Sequence, residues 1–251
     1  MVLEDFHMHS NMSDGRHSPE EMVLSAIEKG LRRIGISDHS NACFAPDFGL
    51  NDGEKKTRYL AELIRLREKY RNRIELFIGI EMDYYSLMSH EGYDYMIGSV
   101  HGIRLPDGSY LEVDDTPERL IEAADRFYGG DLMSLCELYY ETEGNVIEKT
   151  EADIIGHFDL ISKFNKDDEM FDHNNPRYVR AWKKAADKLL LTGKPFEINT
   201  GAISRGYQNR PYPDFDMIDY IRKRGGHFIL SSDSHHRDWI AYQFDRWEYL
   251  L

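Results

Sequence analysis

The chain has 251 residues, 41% of them hydrophobic, and a formal net charge of −14. That is enough apolar material for a packed core, which argues against wholesale disorder. No run of about 18 apolar residues is present to span a membrane, and the acidic balance repels nucleic acid unless a cationic patch or bound metal intervenes.

In chain order, the opening MVLEDFHMHS has neither the basic nor the apolar stretch of a secretory leader, so a cytoplasmic protein is expected. Residues 2–7 read as a strand. HSPEEMVLSAIEKG then reads as a helix, with Ser18 as N-cap, Pro19 at the first position and Glu21 closing a capping box. Met22, Val23, Ala26 and Ile27 form its apolar stripe, and Gly30 stops it. Ile34 and Ile36 mark a second strand over 33–38. Residues 53–71 are a charged helix with Leu60, Leu63, Ile64 and Leu66 inward. Strands follow at 75–81 and 95–100, then a helix that Thr116 caps and Pro117 opens. A strand at 153–157 comes next, then a helix from Pro176 to Gly193 and a strand at 196–199. A helix ending at Gly225 and a strand at 227–232 complete the series.

Short aliphatic strands alternating with helices predict a parallel sheet with crossover helices. Seven strands can close as a barrel or stay open and doubly wound. An open dinucleotide-binding sheet wants GxGxxG after its first strand; HMHS stands there instead, which favours a TIM-like barrel. No repeat or low-complexity linker divides the chain, so one domain over 1–251 is expected. Cys43 and Cys136 form no CxxC pair and fit a reduced compartment.

Residues i and i+2 of a strand share a face, so His7 and His9 point together, at the end of the barrel where catalytic groups gather. The other predicted strands end alike: in Ser37-Asp38-His39, at Glu81, at His101, at His157, and in Asp233 and His235. Imidazole and carboxylate are ligands for zinc, manganese and iron. A lone histidine is more often an ordinary core or surface residue, and His90, His173 and His227 are read so. Asp14, before Gly15, is either an Asx-turn or a bridging carboxylate. His17, just before an N-cap, is open between solvent and substrate.

DFHMHSNMSDGRHSPEE, GISDHS, GIEMD, GSVHG, DIIGHFDL, FEINT and SSDSHH together resemble the PHP (polymerase and histidinol phosphatase) superfamily over nearly the whole chain. Within it, the chain looks most like the monofunctional histidinol-phosphate phosphatases. The resemblance implies a distorted (β/α)7 barrel holding two or three divalent metal ions (Zn, Mn or Fe) at the rim. It implies nine ligands: His7, His9, Asp14, His39, Glu81, His101, His157, Asp233 and His235. Asp5, Asp38 and Asp159 are candidates to orient the histidines from behind.

Asp14, Glu81 and Asp233 contribute −3; three divalent ions would contribute +6, leaving +3 to meet a phosphate dianion, or +1 if two bind. Arg205, after FEINT, is the expected phosphate clamp, because a guanidinium grips phosphate bidentately; Lys163 and Arg210 are weaker candidates. His17 and His236 are candidates for the acid that protonates the leaving group. The expected activity is metal-dependent phosphomonoester hydrolysis, with L-histidinol phosphate as substrate and water activated by the metals for in-line attack. The alternatives are a relative acting on another ester (phosphotyrosine, a nucleotide or a DNA end) and a metal-binding protein without turnover. Neither a nucleic-acid nor a membrane partner is expected, and the oligomeric state is open.

Overall fold

The computed structural model describes residues 2–251. Seven parallel strands stand in the order β1 (Glu4–Asp5), β2 (Arg33–Ile36), β3 (Glu75–Asp83), β4 (Tyr95–Ser99), β7 (Ile154–Ile155), β8 (Phe196–Asn199) and β9 (Phe228–Ser231). A parallel bridge between Met8 and Ser234, with the His9 N–H donating to the Ser234 carbonyl at 2.8 Å, brings the last strand back to the first. The result is the expected nearly closed barrel. Around it lie α1 (Pro19–Glu28), α2 (Glu54–Tyr70), α6 (Pro176–Leu190) and α8 (Phe215–Lys223). The longest excursion follows β4. It contains an antiparallel hairpin, β5 (Gly102–Arg104) and β6 (Tyr110–Glu112), then α3 (Pro117–Tyr128), α4 (Leu132–Glu143) and α5 (Val146–Thr150). Short helices α7 (Gly201–Ser204) and α9 (Phe244–Trp247) follow β8 and β9. No helix of the described residues is long and apolar enough to cross a membrane.

The predicted helix starts are present. Ser18 and Glu21 complete the capping box reciprocally, Thr116 accepts from the Arg119 N–H, and Pro19, Pro117 and Pro176 open their helices. Helices α4, α5, α7 and α9 and the β5–β6 hairpin were not anticipated. Helix α4 buries seven of its twelve residues, so no single apolar stripe announces it. The β5–β6 hairpin turns through Pro106-Asp107-Gly108, a turn signature visible in the sequence. The first and fifth barrel strands are shorter than predicted, at two residues each, because their chains leave the ladder to aim His7 and His157.

The barrel interior is layered. On β3, Phe77, Gly79 and Glu81 share the inner face; on β4, Tyr95, Ile97 and Ser99 do. Tyr95, Ile97 and Ile154, with Phe6, Phe77 and Ile229 against them, make an apolar plug at the N-terminal end. Tyr95 donates to the Phe6 carbonyl and fills space that only glycine leaves open: a Cβ on Gly79 would sit 2.3 Å from the Tyr95 ring. Above this plug the inner face turns polar, with Glu81, Glu197, Asn199 and Ser231 all fully buried.

Candidate metal centre and active-site cavity

All nine predicted ligand side chains converge at the C-terminal end of the barrel. Glu81 stands at the centre. Its Oε2 lies 3.3 Å from His7 Nε2, 3.5 Å from His9 Nε2 and 2.8 Å from His39 Nδ1. Its Oε1 lies 2.8 Å from His157 Nε2 and 3.3 Å from His101 Nε2. Asp233 Oδ1 approaches His9 Nε2 at 3.2 Å and His7 Nε2 at 3.7 Å. Asp14 Oδ2 lies 3.2 Å from His235 Nε2 and 3.7 Å from His39 Nε2. His7, His9 and Glu81 have no exposed surface, so these ligand candidates sit below the rim rather than on it.

Within this cluster three groups of donor atoms are close enough to share an ion: His7, His9 and Asp233; His39, Glu81 and His101; and His9, Asp14, His39 and His235. The donors are all imidazole nitrogen or carboxylate oxygen, which suits zinc, manganese or iron. A second observation bears on the fit. His7 Nε2, both ring nitrogens of His9 and Glu81 Oε2 are buried and make no hydrogen bond. Leaving buried polar atoms unpaired is costly, and cations in these donor groups would answer His7 Nε2, Glu81 Oε2 and one nitrogen of His9. Burial and the neighbouring His235 and His39 push the His9 imidazole down to about 3, which keeps it neutral and able to ligate. Asp14, Glu81 and Asp233 all lie well below the usual carboxylate range; burial opposes this, and the surrounding cationic groups outweigh it.

The groups behind the histidines differ from those expected. Asp5 accepts backbone N–H groups of Ser232 and Ala241, so it ties β1 to the chain beyond β9. Asp38 accepts from the Ser10 N–H at 2.8 Å and from the Ser10 and Ser13 hydroxyls, shaping the loop between His9 and Asp14. Asp159 accepts from the Tyr140 and Tyr178 hydroxyls. None of the three hydrogen-bonds a histidine ring, because their loops turn them toward backbone and helix packing. Two carboxylates that sequence reasoning did not single out do. His7 Nδ1–H donates to Glu197 Oε1 at 2.8 Å, and Glu197 Oε2 accepts the His157 N–H at 3.0 Å. Asp83 Oδ2 lies 3.2 Å from His101 Nδ1. A carboxylate on one ring nitrogen fixes the tautomer and leaves the other nitrogen's lone pair facing the centre. The signals were present: Glu197 is a charged residue inside an apolar strand, and Asp83 shares a face with Glu81.

A cavity of about 480 Å³ opens over the cluster, lined by Asp14, His39, His101, His157, Asp233 and His235 among others. Arg205 lines it too. Its Nη2 donates to Asp233 Oδ2 at 2.9 Å, and its Nη1 lies 2.9 Å from His235 Nδ1. Gly201 makes this possible, since a Cβ there would meet Asp233 Oδ2 at 2.7 Å and Arg205 Nη2 at 2.8 Å. Asp233 itself is held at φ +48°, a left-handed conformation that non-glycine residues seldom adopt outside functional sites. Lys163 also lines the cavity, with Nζ donating to the Asp114 carbonyl at 2.6 Å. Arg210 pairs with Asp214 at 2.9 Å and is not among the lining residues. His17 and His236 pack edge to face at 4.4 Å and accept backbone N–H groups from Arg237 and Asp238. The cavity is lined by their chain neighbours Arg16 and His235 instead, and neither histidine is among its lining residues.

Residues 5–201 match the PHP domain family, and the chain belongs to it. The histidinol-phosphatase of Lactococcus lactis is 28% identical over 257 residues, 94% of this chain and 86% of that protein. Two solved structures share the fold. A Listeria monocytogenes protein studied as the histidinol phosphatase HisK superposes with a TM-score of 0.78 at 20% identity, over 97% of this chain and 99% of that one. The Lactococcus lactis HisK, solved with zinc, L-histidinol and phosphate, gives 0.69 at 22% identity, over 97% and 90%.

Removing the negative charge behind His7 isolates one part of this arrangement. Glu197→Gln should lower metal affinity or kcat/KM by roughly 10–100-fold. Metal titration read beside steady-state kinetics checks this; wild-type values in both would show that Glu197 is only barrel packing.

Proposed function

We propose that the protein is a metal-dependent phosphomonoesterase that hydrolyses L-histidinol phosphate to L-histidinol and phosphate. The observation that carries this reading is the convergence of six imidazoles and three carboxylates around buried atoms that no hydrogen bond satisfies, at the base of an open cavity. Similarity to the Lactococcus lactis histidinol-phosphatase over nearly the full chain supports the substrate.

In this reading the residues of the three donor groups would hold two or three divalent ions. When bound, they supply Lewis acidity for the phosphoryl oxygens and activate water for in-line attack. The chain's own residues do the rest. Glu197 and Asp83 hold His7 and His101 in one tautomer. Arg205 grips the phosphoryl group and offsets the charge that builds in the transition state. Lys163 adds positive charge from its place beside Asp114. Phe44, Phe48, Tyr207 and Trp239 offer apolar faces in the cavity to an imidazole ring.

Phosphate release from L-histidinol phosphate tests the proposal. Chelated protein should release none, and resupply of Mn²⁺, Zn²⁺ or Fe²⁺ should restore turnover. Full activity in exhaustively chelated, metal-free protein would contradict it.

A further inference from the structure

Glu112 closes strand β6 opposite Gly102, one residue past His101, and the next residue, Val113, donates its N–H to the His101 carbonyl at 2.9 Å. Its side chain lines the cavity over the metal centre. In the ring of seven strands, β4, which leads into this hairpin, stands three positions from β9, which leads to Asp233. Arg205 follows β8, two positions from β4, so the hairpin and the Arg205–Asp233 pair belong to different parts of the cavity lining.

The acidic groups on the hairpin wall are not equivalent. Asp114 is answered by Lys163, whose Nζ lies 3.3 Å from its carboxylate. Asp115 is answered by Arg119 at 2.7 Å. The Glu112 carboxylate makes no hydrogen bond or ion pair with any described residue. Burial, with Asp114 and Asp115 close by, pushes its pKa up against the weaker opposing pull of Arg119 and His101.

We infer that Glu112 selects the substrate by binding an ammonium group carried on the alcohol portion of the phosphate ester. The inference rests on the function proposed above. With the phosphate held at the metal centre and Arg205, the organic portion extends into the cavity that Glu112 lines. L-Histidinol phosphate carries two nitrogenous groups there. The primary ammonium is charged throughout the neutral range, whereas a free imidazole is mostly neutral at pH 7. An unanswered carboxylate therefore recognises the ammonium first. The same logic extends the substrate class to phosphate esters of 2-amino alcohols, and it disfavours esters whose organic portion carries no cation, such as nucleoside monophosphates.

The test compares two esters, L-histidinol phosphate and its des-amino analogue 3-(imidazol-4-yl)propyl phosphate, with wild type, Glu112→Gln and Glu112→Asp. Wild type should prefer the amino-bearing ester by about tenfold or more in kcat/KM, the scale of one charged hydrogen bond. Glu112→Gln should erase most of that preference, chiefly through KM, and Glu112→Asp should restore part of it. A preference unchanged in Glu112→Gln overturns the assignment while leaving the phosphatase reading standing. Equal turnover of both esters by wild type overturns it as well. Failure of wild type to hydrolyse either ester overturns the substrate proposed above, and this assignment with it.

Discussion

The double variant His7→Ala, His9→Ala should lose turnover to below about one ten-thousandth of wild type, some 5.5 kcal/mol of transition-state stabilisation at 1.36 kcal/mol per decade. His7 and His9 reach two of the three donor groups, and both lie against Glu81 and Asp233. Removing them takes nitrogen donors that no neighbour can replace, because the flanking residues Phe6, Met8 and Ser10 point elsewhere or lack a suitable atom. The fold should survive. The apolar plug of Tyr95, Ile97 and Ile154 lies beneath the cluster and is untouched. Far-UV circular dichroism and the unfolding transition, compared with chelated wild type, check that point; the chelated reference removes stabilisation by the metal itself. His39→Ala, at the cavity wall and 12% exposed, is the companion that leaves the buried layer intact. Elemental analysis should show less bound metal in both variants. Wild-type turnover in the double variant would remove these histidines from the site.

Arg205→Ala should cost roughly 2–4 kcal/mol in kcat/KM, the range for deleting one preorganised electrostatic donor. Arg205→Lys should recover only part, since a single ammonium cannot reproduce the two-pronged grip. The structure adds a reason to measure metal content beside the kinetics. Arg205 also donates to Asp233 Oδ2, leaving Oδ1 aimed at His7 and His9. If metal content holds while kcat/KM falls, the arginine acts on the phosphoryl group. If both fall together, its main work is to orient Asp233. Wild-type kcat/KM in the alanine variant would show that it does neither.

Much of the barrel could be read in advance because its signals are local. Ser18, Thr116 and the three helix-opening prolines act within one turn of their own positions, and all behave as their types dictate. The ligand candidates were legible for a related reason. Histidine and carboxylate at the ends of apolar strands have few structural uses, and the resemblance to the PHP superfamily completed the set with Asp14, which lies in a loop. What escaped was set by packing between distant segments. Helix α4 is buried on several sides, so its sequence carries no clean stripe. Asp5, Asp38 and Asp159 looked like partners for imidazole from their positions beside ligand candidates, yet each is turned by its loop toward other groups. Glu197, 190 residues away from His7 in sequence, is the partner that geometry supplies. His17 and His236 failed similarly: each lies next to a cavity residue, and loop backbone sends the ring the other way.

The central claim concerns which ester this metal-dependent site hydrolyses. It is tested most directly by kcat/KM for L-histidinol phosphate, phosphotyrosine, nucleoside monophosphates and p-nitrophenyl phosphate, measured side by side on metal-supplied protein. L-Histidinol phosphate should lead every other ester by at least about tenfold, a difference of only ~1.4 kcal/mol in transition-state binding. A different ester in the lead would contradict the assigned substrate, and no phosphate release from any of them would contradict the phosphatase assignment itself.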